Sequence, residues 1–405
     1  MNVEFPRTQA QDTGFSAERL QRLTDALKRD VDTGAAPGAV LLIARRGQIA
    51  CHEAIGMRDR EAGAPMALDT LFRIYSMTKP VTSVAAMMLA EEGALSIADP
   101  VSAYLPEFAE LTVAVDSDSA SATSLATEPP RRAMTVQDLL RHTSGLTYTH
   151  LAGPQLKKAY DAADLGEHQS NAELVAKLAR VPLAYQPGST WQYGYSTDVL
   201  GRVVEVASGQ PLDRFFAERI LKPLGMSATG FGPVAAARVA EPQLDKASGK
   251  RPPLRDVTKT PVWLSGGSGL LSSAADYLRF CQMLLNGGEL GGVRLLAPAT
   301  VALMSADHLA PGIGYGAQMR AMFGALAPTP ENGLGFGLGF AVRNEAGRCA
   351  LPGSVGDYSW SGVAGTYFWI DPREQLIAIL MMQAPSERMH YRYLMRAMVY
   401  QAMVG

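Results

Sequence analysis

Strand-like hydrophobic segments lie near both ends of this chain, and the segments between them are mainly helical in pattern. The strand-like segments are 38–44, 48–56, 338–342, 365–370 and 376–382. The first two flank Arg46-Gly47, which is a hairpin signal. Strands at both ends with helices between them predict an α+β fold, in which one sheet is built from both termini and the middle forms a mainly helical insertion.

Apolar residues at helical spacing predict the helices. The first has Ser16 as its N-terminal cap and Gly34 at its end. Further helices are predicted at about 172–180, 196–207, 211–221, 273–285, 298–304 and 386–403. The stretch 116–130 is rich in Ser, Ala and Thr, which predicts an exposed loop. The pattern of predicted elements changes after Gly93 and again near residue 250. These changes predict a sheet domain from 1–93 and 250–405, and a mainly helical domain from 94–249.

Around Ser76 the pattern changes from strand to helix. Pro80 is tolerated only in a first helical turn, so this helix is predicted to begin near Ser76. Ser76 and Lys79 then share one face at the positive end of the helix, where free backbone N–H groups favour an oxyanion. The same field disfavours a protonated ammonium, so a partly buried Lys79 is suited to act as the base that a nucleophilic serine needs.

The ordinary explanation of a Ser-x-x-Lys pattern is a helix cap followed by a solvated lysine. Two features favour a catalytic role for Ser76 and Lys79. No other lysine in the chain has a serine three residues before it, and the helix after Lys79 is almost free of charge for three turns. A helix of that kind is typical of a buried, central position.

Composition and charge exclude several classes of function. The chain has 405 residues, of which 47% are hydrophobic and 19% charged, with a net charge of −2. It lacks the basic excess of a nucleic-acid or anionic-membrane binder, and no stretch approaches the roughly 20 apolar residues of a membrane span. The polar N-terminus has no signal-peptide pattern, and Cys51, Cys281 and Cys349 are scattered, so a reducing cytoplasm is expected.

Other catalytic and cofactor patterns are weaker. His142 or His150 could complete a Ser-His-Asp triad with Ser76, although a histidine after a short helix is more often structural. No histidine or cysteine spacing matches a zinc site, and 116–118 lacks the remainder of a calcium loop. The glycine ladder at 333–339 is not Gly-x-Gly-x-x-Gly, so it indicates a strand with close backbone packing. Ser268 lacks the glycine of a nucleophile elbow. No metal or cofactor is expected.

Two further segments are candidates for partners of Ser76. Tyr193 lies where a loop enters the predicted helix at 196–207, and its usual role there would be in the core or at a rim. Beside Ser76 and Lys79, its phenol could instead transfer a proton. The segment 360–366 has small residues before an apolar strand, and its backbone could complete an oxyanion hole with the N–H of Ser76.

Together these features resemble the serine β-lactamase and penicillin-recognising superfamily, and most closely its family VIII carboxylesterases. The first motif matches Ser76-Met-Thr-Lys79, the second matches Tyr193-Gly-Tyr195, and the third matches Trp360-Ser-Gly362. Further matches include 71–74, 139–146, 198–201, 223–226 and 269–273, so the resemblance covers about 38–382. It implies a mainly antiparallel sheet flanked by helices, with the active site between the two domains.

The resemblance also implies roles for individual residues. Ser76 would be the acylated nucleophile, Lys79 would take its proton, and Tyr193 would protonate the leaving alcohol and activate the deacylating water. Substrate-binding and oxyanion positions would be Trp360, Gly362, Val363, Tyr148 and Asp198.

One departure bears on the substrate. Trp360 stands where a β-lactamase has a cation that recognises the lactam carboxylate, which favours short- to medium-chain neutral esters. The expected partner is thus a small-molecule ester, and the oligomeric state is open. The alternatives are a β-lactamase or D-peptidase with some cephalosporin turnover, an acyltransferase, and a member that only binds ligands.

Overall fold

The computed structural model describes residues 3–115, 125–166, 168–245 and 248–405. Its largest element is an eight-stranded sheet with the order β12-β13-β14-β15-β16-β1-β2-β3, in which all neighbours are antiparallel. Its strands are β1 (Gly38–Arg45), β2 (Gln48–Asp59), β3 (Ala64–Pro65), β12 (Leu334–Phe336), β13 (Ala341–Arg343), β14 (Tyr358–Ser361), β15 (Tyr367–Asp371) and β16 (Leu376–Met382). The prediction of one antiparallel sheet from both ends of the chain is confirmed.

The remaining strands form short two-stranded pairs. They are β4 (Phe72–Arg73) with β8 (Leu271–Ser272), β5 (Val113–Val115) with β6 (Ala126–Glu128), β7 (Thr190–Trp191) with β11 (Gly314–Tyr315), and β9 (Glu289–Leu290) with β10 (Val293–Arg294). The prediction of a loop over 116–130 is therefore wrong in part, since Ala126–Glu128 forms a strand that pairs with β5. Residues 116–124 of that loop lie outside the described ranges.

Twelve α-helices occur in the described ranges. They are α1 (Ala17–Asp32), α2 (Thr78–Glu91), α3 (Val136–Leu140), α4 (Pro154–Ala162), α5 (Asn171–Leu178), α6 (Ser196–Ser208), α7 (Leu212–Phe216), α8 (Lys222–Leu224), α9 (Ala274–Leu285), α10 (Pro298–Met304), α11 (Met319–Phe323) and α12 (Arg388–Ala402). The prediction at 211–221 is wrong as a single α-helix, because a π-helical turn at Ala217–Leu221 separates α7 from α8.

Short 3₁₀ helices connect several of these elements. They lie at Ala10–Thr13, Tyr75–Met77, Val101–Ala103, Pro106–Glu110, Thr149–Leu151, Ala236–Arg238, Gly324–Leu326 and Pro330–Asn332. No helix within the described residues combines the length and the apolar character that a membrane span requires.

The central strands β1 and β16 are buried along their whole length because the sheet is covered on both faces. Leu41 and Ile43 belong to one core, which they share with residues of α1 and α12. Val40 and Leu42 belong to a second core, which contains α2, α6 and α9. Successive strand residues point to opposite faces, so the alternation assigns each side chain to one layer. In the described part of the chain, 94–249 adds no strand to this sheet, and the two-domain division stays a prediction.

The glycine ladder at 333–339 packs closely against neighbouring segments of the chain. A Cβ at Gly337 would overlap the carbonyl oxygen of Met304, and one at Gly339 would overlap the side chain of Ser83 in α2. The glycines are therefore needed for close backbone approach, as the pattern indicated.

A buried charge cluster joins the last helix to the sheet. Asp357 accepts hydrogen bonds from Arg396 at 2.8 and 2.9 Å and from Arg343 Nε at 2.9 Å. All three side chains are buried, with exposed fractions of 1–3%. Because these three groups form no other ion pair among the described residues, removal of the single carboxylate leaves two buried cations without a counter-charge.

The substitution Asp357→Asn is therefore expected to lower the free energy of unfolding by about 3–5 kcal/mol. Urea unfolding followed by circular dichroism measures this change. Glu18→Gln is the matched control, because it removes one partner of the exposed Glu18–Arg22 pair and is expected to leave the free energy of unfolding nearly unchanged. Equal effects of the two substitutions would contradict the argument.

Candidate active site

Ser76 lies in a single 3₁₀ turn, Tyr75–Met77, that leads directly into α2. The predicted helix start near Ser76 is therefore correct in position, although its first turn is tighter than an α-helix. Tyr75 has a φ of 42°, in the left-handed region that non-glycine residues rarely adopt. Twelve of the 14 residues of α2 are buried, so this is a central helix. The turn presents Ser76 at the end of that helix, where the N–H groups have no intrahelical acceptor.

Lys79 is buried, with 1% of its surface exposed, rather than partly buried as expected. Its Nζ lies within hydrogen-bonding distance of three oxygens, which are Ser76 Oγ at 3.3 Å, Tyr148 Oη at 3.1 Å and the carbonyl oxygen of Gly267 at 2.8 Å. The same Nζ lies 4.6 Å from the centre of the Tyr193 ring. No carboxylate oxygen of the described residues lies within ion-pair distance of it. Lys79 is thus held by three oxygens, one of which belongs to Ser76.

Asp198 lies behind the loop that contacts Lys79 and does not line the pocket described below. Its Oδ1 accepts hydrogen bonds from the hydroxyl of Ser265 and, at 3.1 Å, from the N–H of Gly267. Burial raises the pKa of Asp198, whereas Lys79, Ser265 and Gly267 oppose that rise. A Cβ at Gly267 would overlap the Asp198 carboxylate, so glycine is required there. Asp198 therefore fixes the loop whose Gly267 carbonyl holds Lys79.

Tyr193 and Trp360 are joined by a hydrogen bond, in which Trp360 Nε1 donates to Tyr193 Oη at 3.2 Å. Trp360 is 3% exposed and packs between Phe323 and Phe336, with ring centroids 5.2 and 5.1 Å away. The expectation that Trp360 forms an apolar wall against the substrate is therefore wrong, because it is not among the residues that line the pocket. It supports Tyr193, which does line it.

Tyr148 is the second phenol beside Lys79. Burial raises the pKa of Tyr148 well above its usual value, and Asp198 adds to that rise. Tyr148 therefore stays a neutral phenol at neutral pH. His150 stacks on its ring at 5.7 Å with an interplanar angle of 10°.

His142 does not contact Ser76 in the described chain. Its ring lies 4.8 Å from that of Tyr193, and its Nε2 is 3.5 Å from Thr197 Oγ1. Burial, together with the charge of Lys79, lowers the pKa of His142 well below its ordinary value. The basic group hydrogen-bonded to Ser76 is Lys79, so the geometry does not support a histidine triad.

The turn after β14 brings Gly362 and Val363 to the pocket. The N–H of Gly362 donates to Thr366 O at 2.8 Å and is already used, whereas Val363 lines the pocket and is 51% exposed. Within the described chain, the Val363 N–H has no hydrogen-bond partner. Of the two positions, Val363 is therefore the one with a free backbone donor.

A pocket of about 350 Å³ opens beside Ser76. Its lining consists of Tyr75, Ser76, Tyr148, His150, Tyr193, Ser268, Met322, Phe323, Ser361, Val363, Arg388 and Arg392. Most of this wall is aromatic or aliphatic, and its described residues include two arginines but no aspartate or glutamate. Sequence reasoning missed both arginines, because nothing in the local pattern of the last helix connects it with Ser76. In the described ranges, no group of three or more His, Cys, Asp or Glu side chains could hold a metal ion.

Comparison with known proteins identifies the family. The sequence matches the family model described as Beta-lactamase over residues 23–400. Protein Rv1367c of Mycobacterium tuberculosis is 37% identical over 366 residues, which are 88% of each chain. Esterase EstB of Burkholderia gladioli is 33% identical over 379 residues, and the match covers 87% of each chain.

A solved structure agrees with these sequence matches. EstCE1, described as a hydrolase with promiscuous acyltransferase activity, superposes with a TM-score of 0.77 at 29% identity. The match covers 96% of this chain and 99% of that one. The chain therefore belongs to the Beta-lactamase family of serine hydrolases, on its family VIII carboxylesterase branch.

Proposed function

We propose that this enzyme hydrolyses short- to medium-chain carboxylic esters through an acyl-enzyme on Ser76. The observation that carries the proposal is the 3.3 Å hydrogen bond between Lys79 Nζ and Ser76 Oγ at the wall of a largely apolar pocket. The similarity to Esterase EstB and to the hydrolase EstCE1 supports the reaction class. A volume of about 350 Å³ suits a small acyl or alcohol group.

In the acylation step, Lys79 acts as a neutral amine, which keeps its two N–H donors for Tyr148 and Gly267 and uses its lone pair to accept the proton of Ser76 Oγ as that oxygen attacks the ester carbonyl. The backbone N–H groups of Ser76 and Val363 stabilise the negative charge that develops on the carbonyl oxygen. The C–O bond to the alcohol then breaks, and the alcohol leaves with a proton. In deacylation, water attacks the acyl-enzyme and the bond between the acyl carbon and Ser76 Oγ breaks. The Lys79 ammonium then returns its proton to Ser76 Oγ as the acid is released.

Tyr193 is the acid in this scheme. The indole N–H of Trp360 only donates, so the Tyr193 oxygen is the acceptor of their hydrogen bond and its own proton remains available. This proton can pass to the leaving alcohol, and the resulting phenolate can take one from the deacylating water. Tyr148 and Asp198 would act as positioning residues, because they hold Lys79 directly and through Gly267.

A covalent probe tests this proposal. A fluorophosphonate is expected to label Ser76 stoichiometrically, as measured by intact mass and peptide mapping, and to abolish hydrolysis of p-nitrophenyl butyrate. Absence of labelling would favour a protein that only binds ligands. The same preparation is assayed with nitrocefin, and a higher kcat/KM for nitrocefin than for the ester would favour a β-lactamase.

Acyl transfer to an alcohol is a second candidate, because the similar hydrolase EstCE1 has a promiscuous acyltransferase activity. Transfer would use the same acyl-enzyme, with an alcohol in place of the deacylating water. A competing alcohol is added to the p-nitrophenyl butyrate assay, and the products are separated by gas chromatography. A new butyrate ester would establish transfer, whereas butyrate alone would leave hydrolysis as the reaction.

Substitution of each tyrosine separates the acid from the positioning residue. Tyr193→Phe removes the transferable proton and is expected to lower kcat for p-nitrophenyl butyrate by about 10²–10³-fold. Tyr148→Phe removes one hydrogen bond to Lys79 and is expected to lower kcat by about tenfold. Steady-state kinetics measures both, and a larger loss for Tyr148→Phe would reverse the assignment.

A further inference from the structure

Two arginines of α12 line the same pocket as Ser76. Arg392 is 3% exposed. Its Nη2 donates to the carbonyl oxygen of Gly362 at 2.7 Å, and its Nη1 contacts Met389 Sδ at 3.3 Å. Its Nε is buried without a hydrogen-bond partner in the described chain. Arg388 is half-buried and donates to Pro385 O at 2.6 Å. Both guanidinium groups thus bond to neutral atoms only.

The charge of these arginines is not compensated within the described chain. No carboxylate oxygen of the described residues lies within ion-pair distance of either guanidinium, and none of the described residues that line the pocket is Asp or Glu. The adjacent Glu387 borders a different cavity, together with Asp30 and His390. Burial and the neighbouring charge of Arg388 lower the pKa of Arg392 to about 10. A buried charge of this kind is costly unless an anion pairs with it.

The position of the two arginines adds to this cost. Arg388 is the first residue of α12 and Arg392 lies one turn later, at the helix end where the backbone dipole disfavours cations. The chain as a whole carries a net charge of −2, so the positive charge is a local property of the pocket. An anionic group in the pocket would pair with the two guanidinium groups and would offset the repulsion between them.

We propose that the ester substrate carries a carboxylate, which Arg388 and Arg392 bind while Ser76 attacks the ester carbonyl. The proposal rests on the ester hydrolysis proposed above and names its substrate class. A carboxylate is an anion that a planar guanidinium group can bind bidentately, and no lysine of the described residues adds to the charge of the two arginines in the pocket. The sequence led us to expect a neutral ester, because Trp360 stands where a β-lactamase has a cation. In this proposal the arginines of α12 supply that cation instead, so the expected substrate is an anionic ester.

Matched pairs of esters test the proposal on the wild-type enzyme. Mono(p-nitrophenyl) adipate is compared with its methyl ester for a carboxylate on the acyl side. For the alcohol side, meta-acetoxybenzoate is compared with methyl meta-acetoxybenzoate. In at least one pair the anionic ester is expected to have a kcat/KM about tenfold higher, and the advantage is expected to shrink between about 20 and about 500 mM NaCl. Equal values in both pairs would overturn the proposal.

The variant Arg388→Gln locates the effect. The kcat/KM ratio of the preferred anionic ester to its neutral partner is expected to fall about tenfold in this variant. Arg294→Gln is the matched control, because it removes the same charge from an exposed pair outside the pocket and is expected to leave the ratio unchanged. Equal losses on both esters in Arg388→Gln would overturn the proposal, since the arginine would then serve the reaction in general.

The outcome separates this inference from the proposed function. If neutral esters are hydrolysed in a Ser76-dependent manner without an anionic preference, only the carboxylate site is wrong. If no ester of either kind is hydrolysed, the proposed function itself is wrong. If Arg388→Gln does not fold, the wild-type ratios and their dependence on NaCl still decide the question.

Discussion

Replacement of Ser76 by alanine is expected to lower kcat for p-nitrophenyl butyrate by at least about 10⁴-fold. Alanine cannot form the acyl-enzyme, and the remaining oxyanion donors stabilise only the direct attack of water. The fold should be unaffected, because Ser76 Oγ faces the pocket and its hydrogen-bond partner Lys79 keeps two other acceptors, Tyr148 and Gly267. Steady-state kinetics and thermal unfolding of the purified variant measure both quantities.

Ser268 offers the matched control for this substitution. It lines the same pocket, but its hydroxyl is hydrogen-bonded to Ser265 at 3.0 Å rather than to Lys79. Ser268→Ala is therefore expected to change kcat by less than about tenfold. If Ser76→Ala retains activity, or if Ser268→Ala is the more damaging change, Ser76 is not the nucleophile.

Replacement of Lys79 by methionine is expected to lower kcat by about 10³–10⁴-fold, because Nζ is the basic atom bonded to Ser76 Oγ in the described chain. Methionine has a similar length and tolerates burial, so it removes the base with little change of volume. The loss should appear in acylation, and it is measured as the rate of fluorophosphonate labelling of Ser76 in the variant.

Lys177→Met is the control for the loss of a lysine, since Lys177 is partly exposed and its Nζ contacts only Asp164 among the described residues, outside the pocket. It is expected to label at the wild-type rate. Circular dichroism establishes that the Lys79 variant is folded before its kinetics are compared. A folded Lys79→Met enzyme that labels within about tenfold of the wild-type rate would contradict the assignment of the base.

Local patterns made part of this site predictable from sequence. Ser76 and Lys79 are three residues apart, and Pro80 restricts where their helix can begin, so their proximity depends only on helix geometry. The sheet was predictable for a related reason, since the apolar runs at 38–44 and 376–382 can be buried only as central strands. The prediction at 211–221 failed because the π-helical segment is only five residues long, which is too short to produce an apolar period distinct from that of the flanking α-helices.

Contacts between distant segments were not predictable in the same way. Trp360 lies 167 positions from Tyr193, and the expectation of an apolar wall was wrong because the indole turns into the core and donates to the phenol. The position of Asp198 behind Gly267 likewise depends on how α6 packs against the 265–269 loop. The sequence near Trp360 or Asp198 does not indicate how either side chain is oriented, because the packing of side chains from distant segments decides it.

The sequence by itself determined the family, the sheet built from both ends of the chain, and the position of Ser76 beside Lys79 on which the proposed nucleophile rests. These features depend on local spacing or on a strict alternation of buried residues, which the order of amino acids specifies directly. The tertiary structure alone decided the charge of the pocket. Arg388 and Arg392 come more than 300 residues after Ser76 in the chain, and only the packing of α12 against the Gly362 turn brings them to the same wall.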